Sequence, residues 1–194
     1  MHSIKSFTAI GRRVSVMVLV AGLIGACSPG SSLLPLPEYD GINYRLGVGD
    51  QVRLITFGVE PLTGTFRIDD GGNLDLPLVG MVHAAGSTPG EFRQSLTSIV
   101  LQKKLLNAPS LSVEVVEYRP IFVLGEVNHP GQYPYQPGMR VLTAVAVAGG
   151  FTYRAVEGHV RDLRSVGGTA VTGKAGQDAF VAPGDVITVL ERYF

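Results

Sequence analysis

The sequence predicts an α+β protein made of two small modules in tandem. Three observations carry this expectation. Short β-type runs separated by Gly-rich turns recur from Gly47 to Leu190, one well-capped amphipathic helix interrupts them near residue 90, and Arg119-Pro120 forms a seam before a fresh β run.

Val52–Phe57 reads as the first strand. Thr65–Asp69 and Leu74–Val79 follow, and Asp70-Gly71-Gly72-Asn73 between them is a hairpin signal. A helix begins next: Thr88 is placed to cap it, Pro89 to open it and Glu91 to reciprocate the cap. Phe92, Leu96, Ile99, Val100 and Leu106 recur at helical spacing, and the helix is expected to end near Asn107, before Pro109. Strict alternation in Leu111–Val115 predicts a half-buried strand. Beyond the seam, Ile121–Leu124 is a β run followed by the turn-rich Gly125–Gly131. A short helix, Val141–Ala148, should stop at Gly149-Gly150, where glycine takes the left-handed cap conformation. Further short strands fill Val160–Phe194, the last being Val186–Leu190 after Pro183-Gly184-Asp185. Gly49-Asp50 and Gly184-Asp185 each precede a β run, a shared turn chemistry.

The first 28 residues read as an export signal. Lys5, Arg12 and Arg13 precede an apolar run, Val14–Ile24, too short to span a bilayer but of the length of a secretory signal core. Ile24-Gly25-Ala26-Cys27 resembles the lipobox of bacterial lipoproteins, in which the cysteine takes a diacylglycerol after cleavage. Cys27 is the only cysteine of the chain, and Ser28 beside it resembles the context that sends lipoproteins on to the outer membrane. Two or more acyl chains anchor a protein stably, where one does not. Residues 28–37, SPGSSLLPLP, then read as an extended tether that could reach about 30 Å from the bilayer at roughly 3.1 Å per residue.

Cutting 26 residues from 194 leaves 168, with 13 basic against 16 acidic side chains. No basic block or basic-aromatic patch remains, so the chain carries no electrostatic footprint for nucleic acid. With its one thiol lipidated it has no internal disulfide, and packing alone must hold the modules.

Motifs of catalysis fail on inspection. Gly168–Ala175 is one residue from a phosphate-binding loop, but Ala175 replaces the hydroxyl that would hold magnesium and no helix follows; it reads as a flexible surface loop. Asp69, Asp70, Asn73 and Asp75 gather oxygens, yet Gly71 stands where a calcium ligand is required and no closing glutamate follows. His83, His129 and His159 lack ligand spacing and read as surface or turn residues, so no zinc site is expected. No Gly-x-Ser-x-Gly elbow exists. The expectation is therefore no enzyme, no cofactor and no metal.

The segments taken together resemble the Wza-type outer-membrane polysaccharide export lipoproteins. Tyr44–Val52, with Gly47, Gly49 and Asp50, resembles the opening of their export domain. Asp70, Gly71, Pro77 and Gly80 within Asp70–Gly80, then Gly86 within Ala85–Thr88, Glu91, and Pro109–Val113 follow in that family's order. Downstream, Val123–Val127 with Gly125, then Pro130, Gly131, Gly149, Gly150, Pro183, Gly184 and Asp185 resemble a soluble-ligand-binding β-grasp (SLBB) module. Val156–Gln177 fits that pattern poorly. The resemblance implies a signal over 1–26, a lipidated tether over 27–43, a mixed β/α export domain over 44–118 and one β-grasp module over 119–194. It implies a periplasmic lipoprotein of the outer membrane that handles polysaccharide, assembles into a homo-oligomeric ring and works with an inner-membrane polysaccharide co-polymerase, the chain-length regulator. The matched residues are mostly turn formers, which identify a fold and name no ligand contact. A stand-alone periplasmic carbohydrate-binding adaptor is the alternative. After the signal no run approaches the roughly 20 apolar residues of a spanning helix, and only Glu191–Phe194 follows the last strand, so a separate membrane-spanning partner is expected.

Overall fold

The computed structural model describes residues 30, 32–58 and 60–192. The expected signal, Cys27 and Ser28 lie outside the described residues.

In the first module, β1 (Gln51–Thr56) alternates as its sequence demands: Val52 and Leu54 are buried while Arg53 and Ile55 face out. It is the centre of an antiparallel sheet of order β2-β1-β5, formed with β2 (Gly64–Arg67) and β5 (Leu111–Glu117). Helix α1 (Pro89–Gln102) buries Phe92, Leu96 and Val100 in the same core as Val52 and Leu54. Its start is the one expected: Thr88 Oγ1 accepts from the Glu91 N–H at 3.2 Å, and Glu91 accepts from the Thr88 N–H at 2.7 Å.

Two expectations for this module are corrected. The hairpin joins different strands: β2 pairs with β1, whereas β3 (Asn73–Leu76) pairs with β4 (Gly80–His83) through the register Leu74↔Val82. The Asp69–Asn73 turn exists, with the Asn73 N–H donating to Asp69 Oδ1 at 2.7 Å, but Gly49 and Asp50 carry the β1–β2 pairing on to Ile68, so the residues before the turn are committed to β1. Pro77 has no N–H to continue a ladder, and Leu78 takes a left-handed φ of 64°, so the chain reverses there. Helix α1 also stops five residues early. Lys104 is left-handed at φ 54°, its N–H bonds Leu101 O at 3.0 Å, and the Leu105 N–H bonds Val100 O at 3.1 Å, a Schellman ending with lysine where glycine is usual. Leu105 and Leu106 pack on the core from outside the helix.

The second module has a five-stranded sheet of order β7-β6-β10-β8-β9, in which β10 (Val186–Val189) runs parallel to β6 (Ile121–Gly125) and all other pairs are antiparallel. β7 is Gly131–Tyr133, β8 is His159–Val166 and β9 is Thr169–Gly176. Helix α2 (Val141–Val147) lays Val141, Ala144 and Val145 over Ile121, Val123, Ile187 and Val189 on one face of this sheet. The two modules thus have separate cores.

The expected loop over Gly168–Ala175 is instead strand β9, paired with β8 along its whole length from Val166↔Thr169 to His159↔Gly176. Gly167 and Gly168, at φ 57° and 84°, make the two-residue turn whose twist matches a hairpin. His159 is buried rather than a surface residue.

The arm before the first module is extended, as its prolines require, but it does not stand free. Lys174 of β9 donates its N–H to Leu34 O at 2.7 Å and accepts from the Leu36 N–H at 3.0 Å. Only glycine at 173 permits this approach, since a Cβ there would lie 2.7 Å from Leu36 Cα. The arm rounds the β9 edge and then enters the first module at Tyr44.

Candidate functional site

The Gly-Asp device of the sequence is one structure built twice. In the turns 47–50 and 182–185 the glycine before the aspartate has φ 91° or 88°, and the aspartate N–H returns to the carbonyl three residues back, at 3.2 Å in the first and 3.1 Å in the second. In each the aspartate side chain accepts the N–H of that same residue, Gly47 or Ala182, at 2.7 Å. Both aspartates are buried, and each is met by an arginine.

Asp50 closes the first module on the second. Its Oδ2 accepts from Gly47 and from the Tyr44 hydroxyl, while Oδ1 accepts the N–H of Arg119 at 3.1 Å and faces Arg119 Nε at 3.5 Å. Burial and the neighbouring Asp50 charge hold the Tyr44 hydroxyl far above the ordinary phenol range, so it stays a donor. Tyr44, Tyr118 and Tyr135 stack edge to face across the seam, with centroids 5.0 and 5.4 Å apart.

Asp185 is gripped by Arg164, which donates from Nη2 at 2.7 Å and from Nε at 3.1 Å. The same guanidinium reaches Asp162 at 3.3 Å, Phe180 O at 2.8 Å and Pro37 O at 3.2 Å, and it lies 5.6 Å from the Tyr39 ring centroid. One buried cation therefore serves two buried carboxyls and fastens the arm. Burial, then the adjacent Asp185 charge, push the Asp162 carboxyl up to about 8. The protonated form of Asp162 is thereby favoured, which leaves the Arg164 charge to balance Asp185.

Between the two devices lies a cleft of about 660 Å³, lined by the arm, by the first module and by the β8–β9 turn. Its volume is that of a small-ligand site. Tyr39 and Tyr44 supply aromatic walls; Asn43, Arg45 and Glu38 supply planar polar groups; Gly47, Gly86 and Pro183 supply backbone. Aromatic faces with planar hydrogen-bonding groups suit a hydroxyl-rich ligand with apolar C–H faces. Arg45 is itself held by Gly86 O at 2.6 Å and Glu91 at 3.2 Å.

Of the other residues singled out in the sequence, Asp70 and Gly71 sit on an exposed turn away from the cleft, where Gly72 rather than Gly71 carries the positive φ. Pro77 and Gly80 bracket the β3–β4 turn. Gly125 lets β6 and β10 touch, since a Cβ would fall 2.1 Å from Val189 O. Pro130 and Gly131 lead into β7, and Gly149 and Gly150, both at φ 84°, end α2. No group of three or more metal-ligating side chains occurs among the described residues. Sequence reading missed Tyr39, Arg119 and Arg164. The available signal was the pair Asp162 and Arg164, two apart in a strand whose other inward residue, Val160, is apolar.

A mixed β/α module followed by a helix-backed five-stranded sheet, with separate cores and a cleft between them, defines the class: a two-module α+β protein. Residues 39–116 match the family described as polysaccharide biosynthesis/export protein, and residues 120–172 match the SLBB domain. The chain belongs to the polysaccharide biosynthesis/export proteins that carry an SLBB domain. It is 35% identical to exopolysaccharide production protein ExoF of Rhizobium meliloti over 155 residues, covering 74% of this chain and 35% of that protein. It is 29% identical to the EPS I polysaccharide export outer membrane protein EpsA of Ralstonia nicotianae over 59% of this chain and 30% of EpsA. With the polysialic acid transport protein KpsD of Escherichia coli the identity is 28%, over 56% of this chain and 20% of KpsD. The chain spans about a third or less of the length of these relatives.

Proposed function

We propose that this chain is a periplasmic lipoprotein, anchored by Cys27 in the outer membrane, that forms part of a conduit exporting a capsular polysaccharide or exopolysaccharide. One observation carries the reading: an export module and an SLBB module follow each other in the order of that family and are locked through Asp50 and Arg119 over a shared cleft. The names of the relatives, which speak of exopolysaccharide production, export at the outer membrane and polysialic acid transport, support it.

In this reading residues 1–26 are removed, residues 27–43 carry the lipid and the arm, and 44–118 and 119–194 act as the two working modules. The chain contributes no chemistry and guides polymer. Tyr39 and Tyr44 pack against sugar faces while Asn43 and Arg45 pair with hydroxyls. In this reading copies form a closed ring through a repeated heterologous interface and enclose the channel together. An inner-membrane polysaccharide co-polymerase delivers the chain. Among the described residues no helix is long and apolar enough to cross a membrane; in this reading a separate partner supplies the passage through the outer membrane.

Crosslinking of the membrane-bound protein at native abundance tests the assembly: a ladder closing at one discrete oligomer is expected. A persistent monomer would favour the adaptor reading, in which the same cleft binds sugar without forming a passage.

A further inference from the structure

We infer that the open face of the second module's sheet rests on the lipid surface that holds the anchor, so that the arm is a short leash and not a spacer. The inference rests on acylation of Cys27 and goes beyond it by naming the surface that meets the membrane.

The argument begins with alternation in β8. Val160, Asp162 and Arg164 point into the core, so His159, Arg161 and Leu163 point to the opposite face, which α2 does not cover. The register continues this outer face across the sheet. Phe122, Val186 and Leu163 form one row, and Leu124, Thr188, Arg161 and Lys174 form the next. Phe122, Leu124 and Leu163 are each about two-fifths exposed, at 38%, 41% and 38%. The face therefore offers a strip of large apolar side chains with Arg161 and Lys174 at one side. Apolar groups flanked by cations match the boundary between acyl chains and anionic headgroups.

What covers this face follows from where the chain emerges. A Cβ on Gly30 would lie 2.6 Å from Leu190 Cδ1 and 3.0 Å from His159 Nε2, so Gly30 sits on the outer face at the His159 end. From there the arm turns the β9 edge toward Arg164. Cys27 is three residues before Gly30. At 3.3–3.6 Å per residue the Cα of Cys27 lies no farther than roughly 11 Å from Gly30 on this face. The tether expected from composition was to reach about three times as far, and docking of residues 34–37 on β9 removes most of that reach. The arm covers the His159 end of this face, and a bilayer anchored so close to it is the occupant of the part that Phe122, Leu124 and Leu163 leave exposed.

The test uses the full-length acylated protein in nanodiscs of phosphatidylethanolamine and phosphatidylglycerol. Because Cys27 is the only native cysteine and its thiol is consumed by lipid, Leu124→Cys or Leu163→Cys introduces a single labelling site. A nitrobenzoxadiazole dye at either position should shift to the blue and lose emission when headgroup-nitroxide lipid is included. The same dye at Leu142→Cys, on exposed α2, or at Phe57→Cys, on the first module, should do neither. Mass spectrometry of each preparation reports the acyl groups. Equal response at all four positions with Cys27 acylated would overturn the inference and leave the anchor standing. A blue shift at 124 and 163 without quenching would overturn it in favour of a second copy covering the face. Absence of acyl groups on Cys27 would remove the anchor reading and this inference with it.

Discussion

Arg164 donates from Nη1 to the carbonyl oxygen of Pro37 at 3.2 Å, joining positions 127 residues apart. Because the same guanidinium neutralises Asp185, the fold of the second module and the docking of the arm depend on one side chain. Arg164→Leu leaves a buried carboxylate without its cation, which costs about 3–5 kcal/mol. Denaturant titration should show that loss, and limited proteolysis should cut the arm between residues 32 and 40 under native conditions. An arm as resistant as in the unaltered protein would contradict its fastening by Arg164.

Gly173→Val separates the arm from the core. The added Cβ would sit 2.7 Å from Leu36 Cα and 2.8 Å from Leu36 N, backbone atoms that cannot rotate away. Crowding of this kind costs about 1–3 kcal/mol, and the arm is the cheaper element to move. Proteolysis at residues 32–40 is expected with the β8–β9 hydrogen-exchange protection retained. Loss of that protection would mean that the arm is integral to the sheet.

Asp50→Ala deprives Gly47, Tyr44 and Arg119 of a shared acceptor and leaves the Arg119 guanidinium beside a void. A loss of about 3 kcal/mol is expected from unsatisfied buried donors. Asp50→Asn should recover part of it, since one amide oxygen still accepts. Domain-resolved hydrogen exchange should show both modules intact but the seam at residues 117–120 opened.

These particulars show what was legible in the sequence. The cap of α1, the alternation of β1 and the recurrent Gly-Asp turns are local, written within four to six residues, and the structure keeps them. The partner of β2 was not legible, because pairing with β1 rather than β3 is decided by contacts of Asp50 and Gly49 with Ile68. Strand β9 was hidden by its composition: Gly, Ala, Thr and Lys have no apolar alternation, and the β8 ladder supplies what propensity does not. The cleft was hidden for a further reason. Tyr39, Arg119 and Arg164 come from three distant stretches of sequence: the 182–185 turn lies beside both arginines, and the docked arm adds Tyr39.

Asp162 makes stability depend on pH in a direction opposite to most carboxylates. Its folded value, near 8, lies above the ordinary carboxylate value near 4, so between those limits the folded state holds a proton that the unfolded state has released. Stability from this group is full below about pH 4 and falls as pH rises toward 8. Asp162→Asn removes the titrating proton while keeping the shape. The difference in melting temperature between variant and unaltered protein should grow in favour of the variant from pH 5 to pH 8. A difference independent of pH would show that Asp162 is ionised in the fold.

The central claim is that the chain moves finished polymer and does not make it. The most direct measurement is the fate of polysaccharide in a chromosomal deletion, with lipid-linked precursors and surface polymer quantified together. The account predicts that surface polymer is lost while lipid-linked precursor persists, and that the unaltered gene restores export. Loss of the precursor itself, or surface polymer at its usual level, would contradict it.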